Sequence, residues 1–268
     1  MTLKESLMTI KDFRIDRCKK HNLCDILMIV LIGYLTGCKD MEEIHFSAEV
    51  SEEMLRKYLE LPNGIPSTDT ILRVLAGIDG KELEKVLADY ARETFGSRIP
   101  EKEVIAIDGK TIRRSEYNNH NDESKSHKAA HVVCTNLKWL AEKDEWKNLC
   151  GIGMVRSSRL TKDGESTELR YFITSLTDVN LAAKAMRAHW SIENNLHWVL
   201  DTVFDEDYCR VRKDNSAQNL NIIRKLVMNL LKGLDLPVAT KKKNLTIGNK
   251  QTLCSKNEKC LLYALQNL

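Results

Sequence analysis

An aspartate directly after a short apolar run is one of the residues best suited to chemistry. Asp108 follows the run Val104–Ile107 and precedes Gly109. Open sheets commonly place functional groups at the carboxyl ends of buried strands, which makes Asp108 a candidate catalytic or metal-binding residue. A structural role is the alternative, because Asp-Gly pairs form turns and aspartate caps helices.

A second set of polar residues has helical spacing. His189, Glu193, His197 and Asp201 recur at every fourth position, so a helix would place them along one face. One interpretation is that Glu193 binds a metal ion while His189 and His197 orient phosphate or DNA. The other is that these polar neighbours support one another across helical turns. The spacing is compatible with both.

A strand-end aspartate and a helix glutamate far apart in the sequence suit two-metal phosphoryl transfer. Mg²⁺ takes hard oxygen ligands and keeps several waters, so a few carboxylates are enough to bind it. Two such ions about 4 Å apart activate water or a 3′-hydroxyl and stabilise the leaving oxygen. A site of this kind ordinarily needs about three carboxylates, one more than Asp108 and Glu193 supply.

The elements that would position these residues change in character at Pro100. Before it, the apolar periodicity predicts helices, including a buried one from Leu23 and a helix–turn–helix outline over Thr68–Leu87. That outline fits a DNA-reading unit or a plain helical bundle, and its low arginine content favours the bundle. After Pro100 we predict strands near 103–108, 129–134, 149–156 and 168–175, the last two paired antiparallel around a turn at 162–164. We also predict helices near 137–146, 180–200 and 216–231. The tail from Pro237 reads as solvated until an amphipathic segment at 260–268.

Composition excludes little. The 41 basic and 38 acidic residues give a net charge of +3, which alone does not indicate nucleic acid. Eight cysteines occur without a Cys-x-x-Cys pair, so zinc-ribbon and thioredoxin patterns are absent. The N-terminal stretch has no signal-peptide core, and the apolar run Ile26–Leu35 is too short to span a bilayer. We therefore expect a cytoplasmic protein that does not enter the membrane.

Several long blocks occur in the same order as in a known protein family. They are Val104–Ser115, Leu169–Leu176, Arg187–Asp201, Phe204–Arg210 and Asn215–Asn219, with His21–Leu27 and Gly64–Thr70 before them. These blocks resemble insertion-sequence transposases of the H-repeat-associated (ISAs) family, and the similarity runs over nearly the whole chain. The N-terminal blocks look like the helical domain associated with that family.

The resemblance implies a DDE-type RNase H-like catalytic core in which two aspartates and one glutamate bind Mg²⁺ or Mn²⁺. Asp108 would be the first aspartate and Glu193 the glutamate. The implied reaction is metal-dependent hydrolysis at transposon ends, followed by attack of a 3′-hydroxyl on target DNA. The expected partners are transposon-end and target DNA, another copy of the chain, or a full-length transposase, with a location at the nucleoid. Phosphate contacts would come from Arg113, Arg114, His189 and Lys213.

The sequence departs from the family where the second aspartate should be. His131–Cys134 runs almost directly into Asn136–Trp146, which resembles the family sequence on the far side of that stretch. We infer an internal deletion near Cys134 or Thr135. Removing central strands from an RNase H-like sheet should expose apolar surface on strand 104–107 and on the terminal helices.

The predicted fold class is accordingly α+β, with a helical N-terminal domain followed by a truncated RNase H-like α/β catalytic domain. The domains would span residues 1–100, 101–235 and 236–268, the last being a basic tail with a short helix. The predicted function is that of a transposase made inactive by the deletion. The alternatives are a non-catalytic DNA-binding remnant that regulates full-length transposase, and an inert product of a decayed gene.

Overall fold

The protein forms two compact units in a computed structural model. The structure describes residues 2–95, 126–161, 164–192, 196–238 and 244–266. The first unit combines described residues of 1–100 with those of 198–268, and the second lies within 101–197. The predicted division at residues 100 and 235 stays a prediction about domains. The predicted strand at 103–108 lies outside the described residues.

The first unit is helical. Its N-terminal helices are α1 (Leu3–Met8), α2 (Leu23–Leu35), α3 (Met41–Val50), α4 (Glu52–Leu55), α5 (Thr68–Gly77) and α6 (Gly80–Phe95). Its C-terminal helices are α8 (Trp198–Thr202), α9 (Ser216–Gly233), α10 (Ile247–Lys256) and α11 (Glu258–Gln266). The prediction of helices before Pro100 is confirmed for the described residues.

Helix α2 is the centre of this unit. Every residue from Leu23 to Leu35 is buried, as an apolar sequence without a polar face requires. Helices α1, α3, α9 and α10 pack around it. Gly33 allows the close approach of α3, because a β-carbon there would lie 2.6 Å from Cγ1 of Ile44.

The C-terminal segment is docked on this core, which corrects the prediction of a solvated tail. Helix α10 carries the buried residues Lys250, Gln251 and Cys254. The Lys250 ammonium donates to the carbonyl of Leu231, at 2.6 Å, near the end of α9. Gln251 Nε2 donates to the Tyr34 carbonyl at 2.9 Å. The polar sequence of α10 suggested solvent, but these groups find their partners only once the chain has folded back.

The second unit contains a three-stranded antiparallel sheet and one helix. Strands β1 (Ser126–Cys134), β2 (Gly151–Thr161) and β3 (Gly164–Thr174) lie in the order β1-β2-β3. Across the sheet, Val132 pairs with Met154, which pairs with Tyr171. Helix α7 (Val179–Ile192) packs against β1. The predicted antiparallel pairing of β2 with β3 is confirmed, and the helices and small sheet are compatible with the α+β class.

One predicted helix differs from the structure. Residues 137–146 form turns and a short 3₁₀ segment, Lys143–Glu145, because only Leu137 among the described ones is buried and the segment has no apolar stripe to pack. The predicted helix over 180–200 is confirmed for its described residues, which are helical in α7 up to Ile192, at positions 196–197 and from Trp198 in α8. No helix among the described residues is long and apolar enough to cross a membrane.

Candidate functional site

Most residues of the predicted catalytic site lie outside the described part of the chain. This applies to both proposed metal ligands and to two of the four proposed phosphate contacts, namely Asp108, Glu193, Arg113 and Arg114. The pairing of the two carboxylates therefore stays a prediction. Within the described ranges, no group of three or more histidine, cysteine, aspartate or glutamate side chains is arranged to hold a metal ion.

The structure describes, at least in part, the other residues that the sequence singled out. His189 belongs to the last turn of α7, and its side chain is not described. Lys213 is exposed in the turn that precedes α9. His197 is buried, with 7% of its surface exposed, and Asp201 is half-buried in α8. The burial of His197 favours a packed imidazole over one that projects freely toward DNA.

A buried acidic segment follows α8, in the block Phe204–Arg210 that resembles the transposase family. Glu206 is 1% exposed, and its Oε1 accepts a hydrogen bond from Nδ2 of Asn221 on α9. The preceding Asp205 has a left-handed φ of 49° and pairs with Lys39 at 3.1 Å. A carboxylate as deeply buried as that of Glu206 requires a compensating cation or several hydrogen bonds.

A cation near this segment is Arg224 of α9, which is only 2% exposed. Its guanidinium carbon lies 5.0 Å from the centre of the Tyr34 ring on α2, within the range of a cation–π contact. Phe204 meets the same ring edge-on at 6.1 Å between centroids. Phe204 thus connects the block Phe204–Arg210 to α2, and Arg224 connects α9 to the same ring.

The protonation behaviour of this buried cluster follows from its charges. Burial disfavours the charged form of Arg224, but its electrostatic interactions with Tyr34, Cys209 and Glu206 outweigh that cost and raise its pKa. Burial also raises the pKa of Tyr34, against the opposing influence of Arg224. The cluster therefore combines a charged Arg224 guanidinium with the phenol of Tyr34 and the buried carboxyl group of Glu206, and the raised pKa values of Arg224 and Tyr34 suit packing and orientation better than proton transfer.

Two asparagines of the block Asn215–Asn219 bind the end of α5. Asn219 is fully buried, and its Nδ2 donates to the carbonyls of Leu75 at 2.8 Å and Ile78 at 3.0 Å. Asn215 Nδ2 donates to the Ile78 carbonyl at 2.9 Å. The carbonyls at the C-terminus of a helix need such partners. These residues resemble catalytic-domain sequence, yet in this fold they complete the N-terminal helices.

Sequence reasoning missed the roles of Tyr34, Glu206 and Arg224. Two signals pointed toward them. Arg224 lies between apolar residues of α9 such as Ile223 and Leu226, and Glu206 follows the buried Phe204 closely. Each pattern indicates a charge inside a core, but neither identifies its partner.

Comparison with known proteins identifies the family to which the N-terminal helices belong. Residues 4–91, which cover the N-terminal helices, match the family model described as DDE_Tnp_1-associated. The chain is 32% identical over 74 residues to the Escherichia coli K12 protein named "Inactive transposase YbfQ", and the match covers 88% of that relative and 28% of this chain. This chain belongs to the H-repeat-associated transposase family.

Longer relatives in the family match most of the chain. The E. coli O157:H7 protein named "Putative transposase YncI" is 27% identical over 342 residues, covering 86% of this chain and 87% of the relative. The K12 protein named "H repeat-associated putative transposase YhhI" is 26% identical over 343 residues, covering 85% and 90%. No solved structure matches the chain significantly.

Proposed function

We propose that this member of the H-repeat-associated transposase family binds DNA at transposon ends without cutting it. The observation that carries the proposal is the length of the alignments. The YncI alignment extends over 342 positions but covers 86% of this chain, or about 230 residues. About 110 positions of the relative therefore have no counterpart here. In the YhhI alignment a similar number of positions have no counterpart here.

A gap of this length is enough to remove a strand and helices that carry a catalytic residue. The position inferred from the sequence, near Cys134 or Thr135, coincides with the end of β1. Asp108 and Glu193 would then be the two remaining carboxylates of a site that held Mg²⁺ or Mn²⁺. Two-metal cleavage depends on both cations to activate the nucleophile and stabilise the leaving oxygen, and two carboxylates are too few to hold them.

The uncovered face of the sheet also supports a truncated RNase H-like domain. Val132 on β1 and Leu169, Tyr171 and Ile173 on β3 project from one face, and each is about half exposed or more, at 53%, 49%, 70% and 53%. A sheet normally buries its apolar faces against another layer. An open apolar face is therefore what a domain would have after losing covering elements. The strand expected to show such exposure, 104–107, lies outside the described residues.

Regulation of a full-length transposase is the second function we propose. The N-terminal helices match their family model over residues 4–91, and α9 to α11 complete the same unit. A chain that keeps this unit and lacks a working catalytic site would occupy transposon ends, or join an oligomer, at the nucleoid in the cytoplasm. Either event would compete with the complete enzyme.

Cleavage and binding can be tested separately with the purified full chain and labelled transposon-end duplexes. We expect salt-dependent binding and no nicking with Mg²⁺ or Mn²⁺. Inserting the relative's unmatched segment after Cys134 should restore metal-dependent nicking, and Asp108→Ala in that restored chain is the control that should abolish it. Nicking by the unmodified chain that disappears with Asp108→Ala would refute the loss of catalysis. Absence of any binding would refute the DNA-binding function.

A further inference from the structure

We infer that a basic cleft on the first unit contacts the sugar–phosphate backbone of the bound DNA. The cleft has a volume of about 470 Å³ and lies between the segment 13–21 and one side of α5. Thr70, Arg73 and Val74 form the α5 side. The inference rests on the proposed function for its ligand, and it adds the surface that makes contact.

Charge is the first argument for this surface. Arg17, Lys20 and Arg73 line the cleft and are exposed, and none of its described lining residues is a carboxylate. Within the described part of the chain none of the three cations makes an ion pair; Arg73 only donates from Nε to the Asp69 carbonyl. The neighbouring Asp16 pairs with Lys19 at 2.9 Å. Three cations around one opening attract a polyanion such as DNA.

A buried arginine in the wall of the cleft is the second argument. The Arg14 side chain is 8% exposed and is held in a two-pronged ion pair with Asp12, whose Oδ2 lies 2.8 Å from Nη2. This hydrogen bonding from Arg14 lowers the pKa of Asp12. Arg14 Nη1 is also buried but has no hydrogen-bond partner among the described residues. A phosphate oxygen would supply the acceptor that this charged donor lacks.

His21 adds a second unsatisfied atom to the same cleft. Its Nδ1 is buried without a hydrogen-bond partner in the described ranges, while its backbone carbonyl accepts from Arg14 Nη2 at 2.9 Å. Arg14 Nη1 and His21 Nδ1 thus both belong to residues that line the cleft, and a bound ligand would give each of them the partner that buried polar atoms normally have. Both lie in the wall that the exposed cations surround.

The apolar part of the cleft fits the same ligand. Phe13 is 47% exposed and Ile15 is 56% exposed. The Phe13 ring rests on the backbone of Gly77, where a β-carbon would overlap it, so α5 fixes the ring in place. Apolar side chains between cations suit deoxyribose between phosphates. Double-stranded DNA is favoured as the occupant because its two strands present a dense row of phosphates and because the proposed function already supplies it as the ligand.

The experiment compares two triple variants of the full chain by fluorescence anisotropy with a transposon-end duplex across a range of salt concentrations. The cleft variant is Arg17→Gln, Lys20→Gln and Arg73→Gln. The control removes the same charge from exposed lysines of the same unit that do not line the cleft, with Lys85→Gln, Lys225→Gln and Lys259→Gln. Circular dichroism should show the same helical content in both variants.

We expect the cleft variant to bind at least about tenfold more weakly at low salt. Its slope of log affinity against log salt should fall by about 2.7, or about 0.9 for each phosphate that is no longer neutralised. The control should keep most of the slope. Bound DNA should also slow maleimide labelling of Cys18, which lies in the cleft, and leave the exposed Cys134 and Cys150 of the other unit unchanged.

The outcomes separate this inference from the proposed function. If the unmodified chain binds DNA and the cleft variant binds it equally well, the cleft is not the contact surface, and the proposed DNA-binding function stands. If the unmodified chain binds no DNA, both fail. If an RNA duplex of equal length displaces the DNA at lower concentration, the assignment of the cleft to DNA is overturned.

Discussion

Arg224 lies with its guanidinium carbon 5.0 Å from the centre of the Tyr34 ring, and both side chains are buried. One residue belongs to α9 and the other to α2, so the contact joins two distant parts of the chain. Glu206 is close enough to influence the pKa of Arg224. The block Phe204–Arg210, which includes Glu206, thus contributes to the core of the helical unit.

Replacing Arg224 by alanine should lower the free energy of unfolding by about 2–5 kcal/mol, because a large buried side chain and its contact with the Tyr34 ring are lost and a cavity remains. Urea denaturation followed by circular dichroism measures this loss. The control is Lys225→Ala on the exposed side of the same helix, which should change stability by about 0.5 kcal/mol or less. Similar losses in the two variants would show that Arg224 has no special role.

Asn219→Ala should destabilise the first unit by about 1–3 kcal/mol, because two carbonyls at the end of α5 lose a buried donor. Asn215→Ala removes a single bond at an exposed residue and should cost less. Thermal unfolding of both variants gives the comparison. A larger loss for Asn215→Ala would contradict the proposed contribution of Asn219.

Substituting threonine at Val132, Tyr171 and Ile173 should reduce aggregation and binding of an apolar dye, with little loss of stability. These side chains are already exposed, so the substitutions remove little buried surface and keep β-branched residues in the strands. Light scattering and dye fluorescence measure the effect. The control is Val155→Thr on the buried side of β2, which should destabilise the unit. Marked unfolding of the first variant would mean that this face is covered.

Alkaline pH should destabilise the first unit through two buried thiols. Burial raises the pKa of Cys24 and of Cys254 to about 11, while the ordinary thiol value is 9.0. Between those values the unfolded chain loses thiol protons that the folded chain keeps, so the free energy of unfolding falls as pH rises. By pH 10.5 the loss should be on the order of 2 kcal/mol for each thiol.

Urea unfolding at pH 8 and pH 10.5 tests this effect, and the Cys24→Val, Cys254→Val double variant isolates it. The variant should lose less stability than the unmodified chain over that range. The raised pKa values also predict slow reaction of both thiols with a disulfide reagent at pH 8, whereas the exposed Cys18 should react quickly. Equal pH dependence in the two proteins would rule out the thiols as the cause.

Local hydrophobic patterns predicted the helices and strands whose buried side is evident from neighbouring residues. The apolar run from Leu23 predicted α2, and the alternation around the turn at 162–164 predicted the pairing of β2 with β3. The prediction of a helix at 137–146 was wrong because this segment has no apolar stripe with which a helix could pack. The tail was read as solvated because α10 is polar, and the sequence does not show that Lys250 finds the end of α9.

The basic cleft escaped sequence reasoning for a similar reason. Its cations come from the segment 13–21 and from α5, and the two stretches lie more than 45 positions apart in the chain. Lys19 looks equivalent to Lys20 in sequence, yet Asp16 pairs with the first and not the second. The difference between a neutralised charge and an accessible one depends on which acids lie nearby in space.

The sequence alone determined the family, through its resemblance in ordered blocks, and the order of most helices and strands, through apolar periodicity, while Asp108 and Glu193 stay predicted metal ligands. Each of these depends on residues that are neighbours in the sequence or on their order along the chain. The partnership of Tyr34 with Arg224, the role of Asn219 at the end of α5 and the grouping of exposed cations beside Arg14 were decided by tertiary structure. Each depends on contacts between residues distant in sequence, and burial and charge pairing are set by those contacts.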